Sequence, residues 1–574
     1  MSGIAGIVSD NEEGKIGTIL KQMLGTIQYS GPNGAGFVIG GIVKHKDKLD
    51  ELNFRGKKGC IALGQVGLPI KDDAVDVQPV QSEDSKISLS CCGEIYNHQQ
   101  LRSKLKGEDD FKTDSESEVI LGVVKKHYHD DLKTTAKEIL PMLDGVYALA
   151  VTDNKQIIIA RDKIGLRQFY FCMNNNHVAF ASEKKPLMAI SGDGVKIHRL
   201  LPGYMAILDR KGIHDFSYWS PGSLRTKDRI KDKEEALKAY GQVLLASIQK
   251  RVAGKKRVGI IFSGGIDSLL ISYMVQKLGV PFTCYTAGRQ GAWDIKWARI
   301  VANQFNFPLK IKILTLEELE KLIPQIINTI EDYSMNQVEA AIALYVSAWM
   351  AQEEDERVIL TGQGPDEIFG GYPWYSTIVD QDGYESFERY SWEDTLLSYK
   401  ETFERENKIA MALGLEMSVP YVDPEVIKVA FRISPELKIH RGNDQIQKRV
   451  HREYCMSIGI PQEIAFRKKK AAQHGANVHN AFEELSSRTG VTESMLEDAG
   501  YDPNQSVIEK LGSSSRYGFR FGDQQLWKPL AQVQYYLDSH AAELNLLPPK
   551  SKKLWDKANR KLKTKGAIPR RHVR

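Results

Sequence analysis

The sequence predicts two folded parts in succession: an α+β layered domain over residues 1–220, then an α/β domain with a parallel sheet and a helical lobe over residues 225–480. Three observations carry this expectation. Before residue 220, short β-branched runs alternate with turn residues, and only two stretches have helical apolar spacing. After Arg257, strand-like runs alternate with helical runs long enough to cross back over a sheet. Within that second part, two apolar runs end directly in glycine-rich turns that carry an acid.

In the first part, residues 4–9, 87–92, 146–152, 156–161, 169–173 and 177–181 read as strands, and 16–29 and 118–129 as helices. Residues 217–229 lead out of it. Residues 233–252 then form an amphipathic helix with Ala236, Leu237, Val243, Leu244 and Ile248 on one side. Strands at 258–262, 281–286, 309–315 and 357–361 are separated by helices at 293–305, 316–330 and 338–352, which implies a parallel sheet covered on both faces. In such sheets a ligand lies beyond the carboxyl ends of the strands, where both glycine-rich turns emerge. Residues 481–549 read as a helical extension, with a helix at 528–537 opened by Pro529, and residues 550–574 as a basic tail.

The first turn, Ser263-Gly264-Gly265-Ile266-Asp267-Ser268, has the composition of a phosphate cradle. Glycines let main-chain N–H groups approach an anion, serines donate further hydrogen bonds, and the following helix points its positive end at the same place. Asp267 would repel phosphate unless a cation lies between them, so it reads as a magnesium ligand. The second turn, Thr361-Gly362-Gln363-Gly364-Pro365-Asp366-Glu367, repeats the arrangement. Its Asp366 is the partner expected to face Asp267 across pyrophosphate.

The chain has 42% hydrophobic and 26% charged residues, a balance that suits globular cores and excludes a disordered chain. No apolar run approaches the roughly 20 residues that span a bilayer, and residues 1–10 lack a secretory pattern, so a cytoplasmic protein is expected. Six cysteines show neither zinc spacing nor a disulfide framework. The net charge of +5 is unevenly placed: residues 550–574 hold eleven Lys or Arg against one Asp, leaving the rest near −5. Such a tail reads as a solvated, disordered end, with phosphate contact to nucleic acid as the other reading.

The two turns, with Ile368-Phe369-Gly370-Gly371-Tyr372 after the second, resemble those of the asparagine synthetases, over roughly residues 1–480. The resemblance implies an Ntn-hydrolase-like glutaminase domain followed by an adenine nucleotide α-hydrolase-like synthetase domain, with ATP split into AMP and pyrophosphate in the presence of Mg2+. It assigns the nucleotide and pyrophosphate to Ile261, Ser263, Gly264, Gly265, Asp267, Ser268, Ala287, Gly288, Thr361 and Gly362, and magnesium to Asp267 and Asp366. It also implies that Lys469, in Phe466-Arg467-Lys468-Lys469-Lys470, occupies the catalytic lysine's place, where an ammonium would neutralise charge on the tetrahedral intermediate and on departing AMP. Substrate contacts fall by resemblance to Glu331, Glu339 and Glu367.

Two positions depart from the family near the substrate. Gln363 stands where asparagine synthetases carry glutamate and the related β-lactam synthetases tyrosine; an amide can orient a group but cannot accept a proton from an ammonium. Glu339 falls where the family has an arginine, which reverses the local charge unless the helix register turns it to solvent.

The first part departs further. The family's terminal cysteine nucleophile is Ser2, the oxyanion asparagine before Gly93 is Cys92, the amine-binding aspartate is Glu116, the arginine of Arg-Gly-Pro-Asp-Gly is Ser30, and no arginine stands near Gly64-Gln65-Val66-Gly67. A thiol is a poor oxyanion donor. These changes predict a retained scaffold without glutaminase activity, the other reading being a serine-dependent amidohydrolase.

The expected function is therefore an AMP-forming amide ligase that takes nitrogen from ammonia or an amine. A β-lactam-synthetase-like or nucleic-acid-modifying ligase with another acceptor, and a non-catalytic nucleotide-binding protein, stay open, as does a homodimer.

Overall fold

The computed structural model describes residues 2–9, 15–31, 34–67, 78–105, 111, 113–174, 177–192, 195–442, 444–468, 472–505, 520–521, 524–525 and 529–564. The chain divides into two compact units, one of residues 1–226 with 410–416, the other of 227–409 with 417–574.

The first unit holds two antiparallel sheets. Its strands are β1 (Ser2–Ser9), β2 (Ala35–Ile39), β3 (Ile42–Lys46), β4 (Ile61–Gly67), β5 (Val80–Gln81), β6 (Ser88–Ile95), β7 (Gly145–Thr152), β8 (Ile157–Arg161), β9 (Tyr170–Met173), β10 (His177–Ala181), β11 (His198–Arg199), β12 (Tyr204–Asp209) and β13 (Gly212–Ser217). They are ordered β11-β9-β10-β1-β4-β2-β3 and β13-β12-β8-β7-β6-β5. β1 shows why its sequence is almost continuously apolar. Ile4 and Val8 enter the core between the sheets with Ala148, Ala150 and Ile159, whereas Ala5 and Ile7 face Leu20, Met23 and Leu24 of the helix Ile16–Gly25. On the other sheet, Leu89, Tyr147 and Leu149 meet Val119, Ile120 and Val123 of the helix Glu116–His127. Both faces of each sheet are thus covered, which gives the α+β layered, Ntn-hydrolase-like architecture.

The second unit is built on a five-stranded sheet ordered β16-β15-β14-β17-β18, with β14 (Val258–Ile261), β15 (Phe282–Arg289), β16 (Leu309–Leu314), β17 (Val358–Leu360) and β18 (Glu416–Ser418). The pairings of β14 with β15 and β17, and of β15 with β16, are parallel. The helices Ile266–Lys277, Trp293–Phe305, Leu316–Ile330 and Met335–Glu353 make the crossovers. Leu316–Ile330 starts at a capping box in which Thr315 and Glu318 exchange side-chain and main-chain bonds. The connections after β14 and β17 emerge at the carboxyl ends of adjacent central strands, which brings the two glycine-rich turns together.

The C-terminal reading needs correction. Pro549–Thr564 is a helix, not a disordered tail: Leu554, Trp555, Ala558 and Leu562 form a stripe against Leu496, Ala499, Tyr501 and Tyr535. Four apolar residues at helical spacing suffice to bury one face although the rest is basic. Residues 565–574 lie outside the described residues. The preceding helix runs Ala531–Glu543, starting later and ending later than expected. Placing aspartate at Leu562, which is 1% exposed, is expected to cost about 2–4 kcal/mol. Hydrogen exchange should accelerate across 549–564; unchanged protection there would show that the stripe does not hold the helix. Among the described residues no helix is long and apolar enough to cross a membrane.

Candidate active site

The first turn leaves β14 at Phe262 and Ser263 and reverses at Gly264, whose φ is +65°. A Cβ there would lie 2.5 Å from Ala298 N and from Trp297 C, so the helix Trp293–Phe305 passes too close for any other residue. The turn organises itself: Ser263 Oγ accepts from Gly265 N at 3.3 Å, and Ser268 Oγ donates to Gly265 O at 3.2 Å. The second turn leaves β17 at Thr361. A Cβ on Gly362 would stand 2.9 Å from Ser268 N, so the two turns touch.

A lysine joins the acids of the two turns. Lys448, with a side chain only 1% exposed, donates to Asp267 Oδ1 and Oδ2 at 3.0 and 2.8 Å and stands 2.9 Å from Asp366 Oδ1. It sits just before the helix Arg449–Ser457 in the left-handed region, φ +50° and ψ +39°. Tyr421 Oη donates to Asp267 O at 2.7 Å, and His451 Nε2 lies 3.2 Å from Asp267 Oδ1. Burial pushes the His451 imidazole down, against the Asp267 carboxylate that favours its charged form. Arg467 donates to Gly264 O at 2.8 Å while its guanidinium lies over Trp297, 4.4 Å from the ring centroid.

Of these groups Asp267, Asp366 and Arg467 line a cavity of about 530 Å³, with Lys448 buried behind the two acids. Ile261, Ser263, Gly265, Asp267 and Ser268 line it from the first turn, Ala287 from β15, and Thr361, Gly362, Gln363, Asp366 and Glu367 from the second turn. Gly264 and Gly288 are not among the described lining residues; Gly288 sits tightly packed, a Cβ on it lying 2.9 Å from Ala476 O. Glu331 and Glu339 are not among the described lining residues. Glu331 is buried against Lys408 Nζ at 2.7 Å. Glu339 faces neither cavity nor solvent but His479, 3.0 Å away. The helix Met335–Glu353 meets the cavity through Asn336, Ala340, Ala343 and Ser347, a stripe from which residue 339 is turned aside. Lys469 lies outside the described residues.

Sequence reasoning missed Lys448, which joins the two turn acids, and four further acids on the cavity wall, Asp294, Asp394, Glu401 and Glu406. Burial first, then the charge of Asp366, raises Glu367 to about 7. Burial and the charge of Glu401 raise Asp394 to about 7, against a hydrogen bond from Tyr375. Glu406, buried but relieved by Arg405, is raised to about 6. Gln363, which cannot take a proton, therefore stands near carboxylates that can.

This has a stability consequence. Between about pH 4 and 7 the folded protein holds protons on Glu367 and Asp394 that the unfolded chain has released, so their contribution to stability falls as pH rises through that window and is flat above it. Glu367→Gln should raise stability above pH 7 by on the order of 2 kcal/mol and leave it unchanged below about pH 4. Parallel melting curves across pH for the two proteins would contradict this.

In the first unit, Ser2 opens β1 opposite Gly67. Cys92 lies in the core between the sheets with Ile4 and Ala148, so its thiol faces apolar groups. Gly93, φ +130°, leaves 1.9 Å between a Cβ and Val146 O. Glu116 Oε2 accepts from Ile95 N at 2.6 Å, which ties the acid to the end of β6.

An open parallel sheet with paired glycine-rich turns and acids at its carboxyl edge, following an Ntn-hydrolase-like unit, defines an amidotransferase-type nucleotide enzyme. The asparagine synthase family profile matches residues 239–385 and 376–538, and a glutamine amidotransferase domain profile matches residues 1–199. The chain belongs to the asparagine synthase family, and with it to the ATP-dependent C–N ligases. A Methanocaldococcus jannaschii protein assigned by name to the glutamine-hydrolysing asparagine synthetases is 29% identical over 546 residues, covering 87% of this chain and 98% of that protein. Asparagine synthetase B (glutamine-hydrolysing) of Escherichia coli is 26% identical, covering 76% and 78%. Asparagine synthetase 2 (glutamine-hydrolysing) of Arabidopsis thaliana is 26% identical, covering 76% and 75%.

Proposed function

We propose that this chain is an AMP-forming amide ligase that activates a carboxylate with ATP and joins it to nitrogen from ammonia or an amine, without hydrolysing glutamine in its first unit. The observation that carries the reading is the Lys448 ammonium shared by Asp267 and Asp366 at the edge of the cavity. The acceptor carboxylate attacks the α-phosphorus of ATP and pyrophosphate leaves into the cradle of Ser263, Gly265 and Ser268. Lys448 supplies positive charge where pyrophosphate departs and where the tetrahedral adduct forms. Glu367, poised near neutrality, takes a proton from the incoming nitrogen.

The two acids alone do not form a magnesium site: the point on which Asp267 and Asp366 converge is held by the Lys448 ammonium, and among the described residues no group of three or more His, Cys, Asp or Glu side chains could hold a metal. The carboxylates would hold the ion only together with phosphate oxygens of bound ATP. A cytoplasmic setting accords with six free cysteines.

The nitrogen source rests on Cys92, whose place in an apolar core offers no oxyanion donor. AMP formation should proceed with an acid such as aspartate and either ammonium or a primary amine, fail with glutamine alone, and be unchanged in Ser2→Ala. Glutamine-dependent turnover that disappears on Ser2→Ala would sink this part of the reading.

A further inference from the structure

One wall of the cavity is strongly acidic and belongs to none of the nucleotide contacts. Glu367 comes from the helix Pro365–Phe369, Asp394 from Pro373–Ser398, Glu401 from the wide π-helical turn Tyr399–Phe403, and Glu406 from the helix Glu404–Ala412. Arg405 borders this wall: its Nη1 donates to Gln337 Oε1 at 2.8 Å and its Nη2 lies 3.5 Å from Glu406 Oε1, while Lys400 Nζ stands 3.9 Å from Glu401 Oε1, so the four acids outnumber the two cations beside them. Burial and the neighbouring charge of Glu401 make Asp394 harder to ionise.

Two further observations say what should neutralise them. Asn336 lines the same cavity at 9% exposure, and its Oδ1 accepts no hydrogen bond among the described residues. A buried carbonyl acceptor without a donor costs about 1–3 kcal/mol, which an N–H of a ligand would recover. Tyr372 and Trp374 stack with ring centroids 4.3 Å apart, both lining the cavity, and Tyr372 Oη donates to Glu367 Oε1 at 2.6 Å. Carboxylates, a carbonyl acceptor and aromatic faces together suit an organic ammonium with apolar carbon behind it. A dicarboxylic acid would meet like charge on this wall.

We propose that the wall formed by Glu367, Asp394, Glu401 and Glu406 is a subsite for an alkylammonium, so that the nitrogen entering the new bond comes from a primary amine rather than from free ammonia. The inference rests on the ligase reading above and names its second substrate. In the step, the ammonium gives one proton to a carboxylate of this wall, and the amine lone pair attacks the acyl carbon of the adenylate. The C–N bond forms, the C–O bond to AMP breaks with its electron pair leaving on AMP, and the nitrogen gives its second proton to water as the tetrahedral adduct collapses.

The test is calorimetric titration of the full chain with 1,4-diaminobutane, with ammonium chloride and succinate as comparators. The diamine should bind and succinate should not, and Asp394→Asn and Glu401→Gln should each weaken diamine binding about tenfold or more. Because Asp394 holds the Tyr375 hydroxyl and its variant could lose its fold, Glu401→Gln, checked by its melting temperature, is the second arm. Absence of diamine binding to the folded wild type, or wild-type affinity in folded Glu401→Gln, overturns the subsite. AMP formation is then measured with a panel of carboxylic acids. Turnover with ammonium equal to that with the diamine overturns the subsite and leaves the ligase standing. Diamine binding without AMP from any acid sustains the subsite and removes the ligase.

Discussion

Lys448→Ala is expected to lower the rate of pyrophosphate release by about 10²- to 10³-fold, the cost of removing one preorganised charge from a reacting centre. Its Nζ lies within 3.0 Å of both aspartates and is shielded from water, so neither solvent nor salt can substitute for it. Arginine should not rescue. The guanidinium is planar and larger, whereas the space beside Lys448 is so tight that a Cβ on Gly371 would lie 2.1 Å from Lys448 Cε. The measurement is single-turnover pyrophosphate release at saturating ATP, with melting temperature as control, because the change also leaves two acids without their shared cation. A folded variant with a near wild-type rate would mean that the charge is structural only.

Gly264→Ala is the second large effect. The substitution adds a left-handed penalty of about 1–2 kcal/mol. It also places a Cβ 2.5 Å from the main chain of Trp297 and Ala298, which cannot move without displacing a helix. Together these should cost about 2–4 kcal/mol of stability. The displaced turn should also weaken ATP binding at least about tenfold, since one lost charge-assisted hydrogen bond already accounts for that. Fluorescent ATP-analogue titration and thermal melting read the two separately. Unimpaired binding would show that the turn does not hold phosphate.

Much of the fold was legible because its signals are local. The helices at 233–252, 293–305 and 316–330 show their apolar spacing and caps in the chain itself, and their observed bounds match. β-branched runs ending in Ser-Gly-Gly and Gly-Gln-Gly announced the turns. Lys448 was illegible for a different reason. It is a lone lysine in Gln445-Ile446-Gln447-Lys448, without periodicity or glycine, and its place comes from a left-handed backbone that Asp444 helps fix by accepting from Ile446 N and Arg449. The run Arg467-Lys468-Lys469-Lys470 was legible by its resemblance to the family's Arg-x-Lys; its Lys469 lies outside the described residues, and its Arg467 donates to the first turn at Gly264 O. Asp394 and Glu401 lie in a segment on which the sequence reading was silent, and only the packing of Pro373–Ser398 and Tyr399–Phe403 brings them to the cavity. The register of Glu339 likewise depended on which face of its helix meets β15, which spacing does not specify. The terminal helix was hidden because its basic residues outnumber its apolar stripe.

The ammonium between the two aspartates also bears on what the resting protein needs from its surroundings. Two neighbouring carboxylates without a counter-charge would repel one another and loosen the turns that carry them. Here the counter-charge is part of the chain, delivered by residue 448. The scaffold should therefore keep its shape in the absence of divalent ions: treatment with EDTA before any nucleotide is added should leave the melting temperature where it was, and divalent ions should raise it only once ATP is present.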